Sequence, residues 1–175
     1  MKKRSRLFAA IAFFSLVTLT PLAISLPTKL TYNPSPSSPI GFYWIGAGSL
    51  KRGAFVVVPT PPRFKLMAAK RRYIPINVDL IKRVYALTGD EVCRENDEIF
   101  VNGKLVTRAL VTDKEGRFLP VWQGCTTLKE DQFFAMMDAP DSFDGRYFGP
   151  LNKDDIIGIA TPIFTWSRDD SEKPN

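Results

Sequence analysis

The sequence contains no histidine among its 175 residues. Without an imidazole, the chain cannot build a Ser-His-Asp or Cys-His catalytic arrangement, and it cannot hold a metal through His ligands. Any nucleophilic chemistry therefore needs a base of another residue type, and lysine is the leading candidate. We expect no metal and no other cofactor.

Cysteine is nearly absent as well, since Cys93 and Cys125 are the only two. Two cysteines are too few for a structural zinc site. In an oxidising compartment they can pair, and the chain-entropy model gives such a loop roughly 3–4 kcal/mol of stabilisation. The alternative is two free buried thiols.

Basic residues exceed acidic ones by a net charge of +6, but part of this excess lies in two local runs, Lys2–Arg6 and Arg63–Arg72. A nucleic-acid module needs basic residues interleaved with aromatic ones over a whole face. Only Lys65–Arg72 comes near that pattern. We therefore expect no nucleic-acid partner.

The amino-terminal region predicts a membrane segment. Residues 1–6 carry four basic side chains, and Leu7–Leu26 then runs 20 residues without a charge. That length suits a helix crossing roughly 30 Å of hydrocarbon, and the basic flank keeps the amino terminus in the cytoplasm. The alternative is a cleavable signal peptide, with Ala23-Ile24-Ser25 as a small-x-small cleavage site. In both cases the rest of the chain is exported.

The predicted organisation therefore has five parts. These are a cytoplasmic basic segment at 1–6, a transmembrane anchor at 7–26, a linker at 27–33, a periplasmic domain at 34–166 and a polar tail at 167–175.

The exported part is predicted to be mainly β, because its short apolar runs are aromatic or β-branched and are separated by Gly and Pro. Asn102-Gly103 is the strongest hairpin turn signal. Only one soluble helix is expected, at Arg63–Arg72, so parallel βαβ units are excluded. The predicted strands are Phe42–Ile45, Ala54–Val58, Asp79–Leu87, Glu98–Val101, Lys104–Val106, Phe133–Met137 and Ile156–Ile163.

Two stretches carry candidate chemistry. In Asn33–Tyr43 three prolines stiffen a run of three serines, which suits a hydroxyl held at a fixed place, although such composition is also typical of a linker. Lys82 lies among Ile81, Val84 and Leu87, and an ammonium removed from water has a lowered pKa. The alternative is that Lys82 and Arg83 are ordinary charged residues, one of them solvated and the other in a salt bridge.

Three segments resemble the serine/lysine signal peptidase I superfamily, and most closely its TraF-type branch of conjugative-transfer peptidases. Ser35–Tyr43 is similar to the branch's S-x-S-x-P-x-G-x-Y box. Ile81–Asp90 resembles the K-R-V-x-x-x-x-G-D box, and Asp141–Gly149 resembles the D-S-x-D-S-R-Y-x-G box. The resemblance covers about four-fifths of the chain and implies a coiled β-sheet or barrel domain behind one transmembrane helix.

The resemblance also implies roles for particular residues. Ser37 corresponds to the nucleophile and Lys82 to the general base. The hydroxyl of Ser35 corresponds to the group that helps the Ser37 backbone N–H stabilise the oxyanion, a kind of donor worth roughly 10²–10³ in rate. Ser142 stands where the family has a hydroxyl that orients the lysine. Ser38, one residue beyond Ser37, would point elsewhere on an extended backbone.

Asp144 and Arg146 correspond to an ion pair that supports the site; the alternative is two surface charges. The sequence also departs from the family at two places. Gly145 stands where the third box has Ser, and Met136-Met137-Asp138 replaces the Gly-Asp-Asn of housekeeping signal peptidases. Neither departure touches a catalytic atom, but both argue against general preprotein cleavage.

The resemblance implies a membrane-anchored serine endopeptidase of the inner membrane, with its catalytic domain in the periplasm. Its expected partners are membrane lipid and an exported, pilin-like precursor of a conjugative or type IV secretion system, with cyclisation of the product left open. One alternative is a general or accessory signal peptidase. The other is a non-catalytic periplasmic scaffold.

Overall fold

The computed structural model describes residues 29–166, and the predicted anchor at 7–26 and polar tail at 167–175 lie outside this range. Within it the chain forms two antiparallel sheets. The strands are β1 Leu30–Asn33, β2 Ile40–Gly46, β3 Phe55–Val58, β4 Leu80–Ala86, β5 Glu91–Glu95, β6 Glu98–Val101, β7 Lys104–Arg108, β8 Gly124–Thr127, β9 Gln132–Met136, β10 Leu151–Asn152 and β11 Gly158–Trp166.

The larger sheet has seven strands in the order β1-β2-β11-β3-β4-β9-β10, and the smaller has four in the order β7-β6-β5-β8. The pairs of strands are antiparallel throughout these sheets. The mainly β prediction is therefore confirmed. The part of the chain that the structure describes has no helix long and apolar enough to span a bilayer.

Strand β4 lies inside the larger sheet and shows strict alternation between buried and half-buried residues. Leu80, Lys82, Val84 and Ala86 are the buried set, because successive side chains of a strand point to opposite faces. Three of them are apolar, and the fourth is a lysine. The alternation therefore places one amine on the core face.

Two helices flank the larger sheet. Helix α1, Pro62–Lys70, begins with a proline at its first turn and ends before Arg72, whose φ of 60° cannot continue a helix. The predicted helix, Arg63–Arg72, therefore extends two residues too far. Helix α2, Gly145–Phe148, is a single buried turn that the sequence pattern did not predict.

The predicted Asn-Gly hairpin is confirmed. Asn102 and Gly103 have φ values of 51° and 74°, and they join β6 to β7. A two-residue turn with positive φ at both positions matches the twist of its strands. The hairpin extends to Arg108, two residues further than the predicted second strand.

A disulfide joins Cys93 to Cys125 and confirms the predicted pairing, so the alternative of two free thiols is wrong. The two residues lie directly opposite each other on β5 and β8. The bond thus ties together the two strands at one edge of the smaller sheet.

Most of the apolar core lies under the larger sheet. Strands β3, β4 and β9 supply one side, and α1, α2 and the loop before α2 supply the other. The central buried residues are Val56, Val58, Ala68, Leu80, Val84, Phe133, Ala135, Phe143, Tyr147 and Phe148. This packing fixes the loop before α2 against β4.

Candidate active site

The loop between β1 and β2 presents two serines side by side. The Oγ atoms of Ser35 and Ser37 lie 2.9 Å apart, and the backbone N–H of Ser37 points to the Ser35 Oγ at 3.4 Å. Ser35 is exposed and Ser37 is half-buried. The hydroxyl and the backbone N–H that the resemblance assigns to an oxyanion site therefore lie together.

Ser38 has a different environment, although it is the next residue. Its side chain is buried, and its Oγ accepts a hydrogen bond of 2.8 Å from the side-chain amide of Asn33. Asn33 is also buried, at the end of β1. Sequence reasoning missed Asn33, because an Asn before Pro is an ordinary turn signal.

Lys82 is 3% exposed, and its Nζ donates a hydrogen bond of 2.8 Å to Ser142 Oγ. Burial lowers the pKa of Lys82 from 10.5 to about 8, with the charge of Asp144 raising it and that of Arg146 lowering it. Desolvation disfavours the charged amine. A substantial share of the lysine is therefore neutral in mildly alkaline solution and able to accept a proton.

Asp144 and Arg146 form an ion pair with an N–O distance of 2.7 Å, and both side chains are fully buried. The Arg146 guanidinium also donates to the carbonyls of Met137, Ala139 and Pro140. Burial acts against the charge of Arg146, but the hydrogen bond with Asp144 keeps its pKa above the ordinary value. These contacts bind both ends of the segment that carries Ser142.

Gly145, where the family box has Ser, has no room for a side chain. A Cβ there would lie 2.6 Å from the carbonyl oxygen of Ala135 and 2.8 Å from the ring of Phe134. The packing around Gly145 in this chain therefore leaves no space for the Ser of the family box.

Ser37, Lys82 and Ser142 line one cleft of about 740 Å³, together with Ser35 and Ser38. Ser37 also lines a second cleft of about 350 Å³, whose wall includes Met137 and Asp138. The candidate nucleophile therefore lies where the two clefts meet. The Lys82 amine donates its hydrogen bond to Ser142 and makes none with Ser37, whose hydroxyl contacts Ser35.

One edge of β4 is open toward the larger cleft. Strand β9 ends at Met136, which lies opposite Arg83 of β4. Residues Leu80–Lys82 of β4 are therefore not paired with β9. Val84 exchanges its backbone hydrogen bonds with Gly53 and Ala54 on the β3 side. Because backbone groups alternate along a strand, those of Ile81 point to the open edge.

One group of possible metal ligands occurs within residues 29–166, and it consists of Glu91, Cys93 and Cys125. The two sulfurs are joined in the disulfide, so they are not available as thiolate ligands. The candidate active site described above involves none of these residues.

A family model described as signal peptidase, peptidase S26, matches residues 3–166. The chain belongs to this family. Signal peptidases act on exported protein precursors. The predicted resemblance to the signal peptidase I superfamily and its TraF-type branch is confirmed.

Among its relatives, a plasmid transfer protein TraF of Escherichia coli is 36% identical over 77% of this chain and 82% of its own. A conjugal transfer protein TraF of Agrobacterium fabrum is 31% identical over 77% and 81%. A signal peptidase I of Bacillus subtilis is 31% identical over 47% and 55%. A solved signal peptidase I from Enterococcus faecalis matches with a TM-score of 0.39 at 20% identity, over 65% of this chain and 98% of that one.

Proposed function

We propose that this signal peptidase family member is a membrane-anchored serine endopeptidase that processes an exported pilin or similar precursor for a conjugative or type IV secretion system. Ser37 is its nucleophile and Lys82 its general base. The observation that carries the proposal is the buried amine of Lys82, with a pKa near 8, in the same cleft as Ser37. The relatives named as transfer proteins support the conjugative role.

In the proposed mechanism, neutral Lys82 accepts the proton of Ser37 Oγ as that oxygen attacks the scissile carbonyl carbon. The negative charge on the carbonyl oxygen is stabilised by the backbone N–H of Ser37 and the hydroxyl of Ser35. Protonated Lys82 then gives its proton to the leaving amine, and the acyl-enzyme forms. Water, activated by the same amine, releases the acyl group.

Ser142 supports this cycle by holding the amine in place. Its Oγ accepts a hydrogen bond from Lys82 Nζ, which limits rotation of the long side chain. The buried pair of Asp144 and Arg146 holds the backbone on either side of Ser142. Correct positioning of a catalytic group is itself a large part of enzymatic rate enhancement.

The precursor is proposed to bind as an extra strand along the open edge of β4. Free backbone groups on a sheet edge supply main-chain hydrogen bonds, and neighbouring pockets select side chains. The backbone N–H and C=O of Ile81 have the right direction for such pairing. Substrate and nucleophile then meet where the two clefts join.

An exposed apolar face supports the proposed location at the inner membrane. Six apolar side chains on β1, β2 and β11, each 42–66% exposed, lie in one patch that includes three aromatic ring contacts. They are Leu30, Tyr32, Phe42, Trp44, Phe164 and Trp166. Tyr32 lies opposite Phe42, and Phe42 lies opposite Phe164 in the next strand. Aromatic side chains are favoured at membrane interfaces.

The proposed anchor at 7–26 ends four residues before β1 begins. Ten residues separate Leu26 from Ser37, which limits the nucleophile to roughly 36 Å from the end of the anchor. A precursor cleaved just outside the bilayer is within that reach. The amino terminus is cytoplasmic and the domain periplasmic in this proposal.

The test uses the full-length protein in detergent with a candidate pilin precursor. Ser37→Ala and Lys82→Ala are compared with wild type, and Ser49→Ala and Lys104→Ala, at exposed positions, serve as matched controls. We expect cleavage by wild type and both controls and none by the two site variants. Processing by either site variant at the wild-type rate would refute the assignment.

Two further assays separate the alternatives. If wild type cleaves ordinary preproteins as fast as the pilin precursor, the chain is a general signal peptidase. If wild type is inert on every exported precursor, the non-catalytic scaffold is favoured. Mass spectrometry of the mature product then distinguishes hydrolysis from cyclisation, since a cyclic product weighs one water less.

A further inference from the structure

The loop that carries Ser37 has few ways to hold its own shape. Residues 34–39 include three prolines, at 34, 36 and 39, and none of these has a backbone N–H. The backbone–backbone hydrogen bonds that fix the other loops of residues 29–166 do not involve residues 34–39. Some other group must therefore hold the loop in place.

The side chain of Asn33 supplies these contacts. Its Nδ2 lies 2.9 Å from the carbonyl oxygen of Ser35, 3.1 Å from that of Pro39 and 3.3 Å from that of Ser38. The same nitrogen lies 2.8 Å from Ser38 Oγ. Its Oδ1 accepts a hydrogen bond of 3.2 Å from the N–H of Ser35. One buried amide thus contacts both ends of the loop.

A second side chain secures only the far end of the loop. The hydroxyl of Tyr43 donates a hydrogen bond of 2.6 Å to the carbonyl of Pro39. This contact does not reach Ser35 or Ser37. Loss of the Asn33 side chain would therefore free the segment from Ser35 to Ser37.

We propose that Asn33 is a positioning residue for the peptidase reaction, and this inference rests on the function proposed above. Its amide contacts Ser35 and Ser38, which flank Pro36 and Ser37, and thereby keeps the oxyanion donors and the nucleophile in their relative places. It also turns the Ser38 hydroxyl inward. The Ser38 hydroxyl is thereby held in a buried contact, and the half-buried Ser37 is the more accessible of the two adjacent serines.

The chemistry of the amide explains why other residues do not suit this position. The loop offers carbonyl oxygens, which need a donor, and one N–H, which needs an acceptor. An amide has both on a short side chain, whereas an ionised carboxylate accepts only. Asn33→Asp therefore keeps the size and the contact with the Ser35 N–H but loses the contacts with the carbonyls.

The test compares Asn33→Ala and Asn33→Asp with wild type, using the full-length protein in detergent and a peptide that spans the cleavage site. We expect kcat to fall by about 10–100-fold in both variants, because small misplacements of reacting groups cost up to about 10² in rate. KM should change less than twofold, since the β4 edge is untouched. The midpoint of the pH profile should stay near 8, because Lys82 keeps its surroundings.

Asn152→Ala, at an exposed position on β10, is the matched control and should behave as wild type. Wild-type kcat in Asn33→Asp, or a loss confined to KM, would overturn the inference. A shifted pH midpoint would also overturn it, because the effect would then act on Lys82. If Asn33→Ala does not fold, Asn33→Asp alone decides.

Failure of this inference and failure of the proposed function are distinguishable. Activity in Ser37→Ala would refute the function whatever Asn33 does. An inactive Ser37→Ala together with fully active Asn33 variants would refute only the positioning role.

Discussion

The amine of Lys82 donates a 2.8 Å hydrogen bond to the hydroxyl of Ser142 on the buried face of the larger sheet. The lysine comes from β4 and the serine from the loop before α2, 60 residues later. The buried pair of Asp144 and Arg146 joins that loop to the chain after β9. The candidate site is therefore assembled from tertiary contacts around one desolvated amine.

The first prediction concerns the pH dependence of activity. In the proposed mechanism Lys82 must be neutral to accept the proton of Ser37, and burial lowers the pKa of Lys82 to about 8. We expect kcat/KM to rise with pH to a plateau, with a midpoint near 8, because that parameter reports the free enzyme. A profile measured from pH 6 to 10 on the peptide substrate checks this. A midpoint near 10.5, the ordinary lysine value, would contradict it.

The second prediction concerns the pH dependence of stability. The pKa of Lys82 is lower in the folded chain than in the unfolded chain, so the unfolded chain binds more protons between pH 8 and 10.5. The free energy of unfolding should therefore rise with pH across that window, and it should be lower below pH 8 than above pH 10.5. Lys82→Met removes the free-energy cost of burying the charged amine. It should therefore raise the thermal midpoint at pH 7, by an amount corresponding to a few kcal/mol.

Thermal unfolding at several pH values measures this effect, with Lys104→Met as the control at an exposed lysine. Lys82→Met should also lose the dependence between pH 8 and 10.5 that wild type shows. A lower thermal midpoint in Lys82→Met at pH 7 would mean that the amine stabilises the fold. Activity and stability would then not oppose each other at this residue.

The third prediction concerns the ion pair of Asp144 and Arg146. Removing one partner leaves the other charge buried and unpaired, which costs roughly 3–5 kcal/mol. Asp144→Asn and Arg146→Met should each destabilise strongly. The double variant should lose less stability than the sum of the losses in the two single variants, since no lone buried charge remains.

Denaturant unfolding of the full-length protein measures these differences. The pair of Glu98 and Arg108 on the hairpin is the control, because its side chains are 32% and 66% exposed and Glu98→Gln should have no measurable effect. Strictly additive losses in the double variant would show that the two residues act independently.

The parts of the fold that were predicted correctly carry local signals. Alternation of apolar residues marks β4, and the Asn-Gly dipeptide marks the hairpin. The two cysteines, together with the prediction that the domain is exported, indicated the disulfide. The strand and turn signals each lie within a few residues of the chain, and the disulfide follows from the tendency of two cysteines to pair in an oxidising compartment.

The parts that were missed depend on contacts made by distant residues. Helix α2 is four residues long and contains a glycine, and Asp144 caps it while buried contacts hold it. Strand β8, with the sequence GCTT, lacks a hydrophobic pattern and forms by pairing with β5. The role proposed for Asn33 depends on where the loop after it folds. Local propensity carries none of this information.

The fourth prediction concerns the disulfide. Replacing Cys93 and Cys125 together by Ala should cost roughly 2–4 kcal/mol of stability. Activity at 25 °C should be retained, because neither residue lines the two clefts. Thermal unfolding with and without reductant measures this, and reductant should lower the midpoint of wild type but not that of the variant. Loss of activity with an unchanged midpoint would contradict the purely structural role.

The last prediction concerns Gly145, where the family pattern has Ser. A Cβ at this position would meet the backbone oxygen of Ala135 at 2.6 Å, and a backbone atom cannot move aside cheaply. Overpacking of this kind costs about 1–3 kcal/mol. Gly145→Ser should therefore destabilise the chain, although it restores the family residue.

The clash arises at Cβ, so Gly145→Ala should cost about as much as Gly145→Ser. The matched control is Gly46→Ser, because the nearest atom to a Cβ there belongs to the side chain of Trp44, at 3.4 Å. Thermal unfolding of the three variants measures the difference. If Gly145→Ala were neutral and only Gly145→Ser were destabilising, the hydroxyl would be the cause, because the same Cβ is present in both.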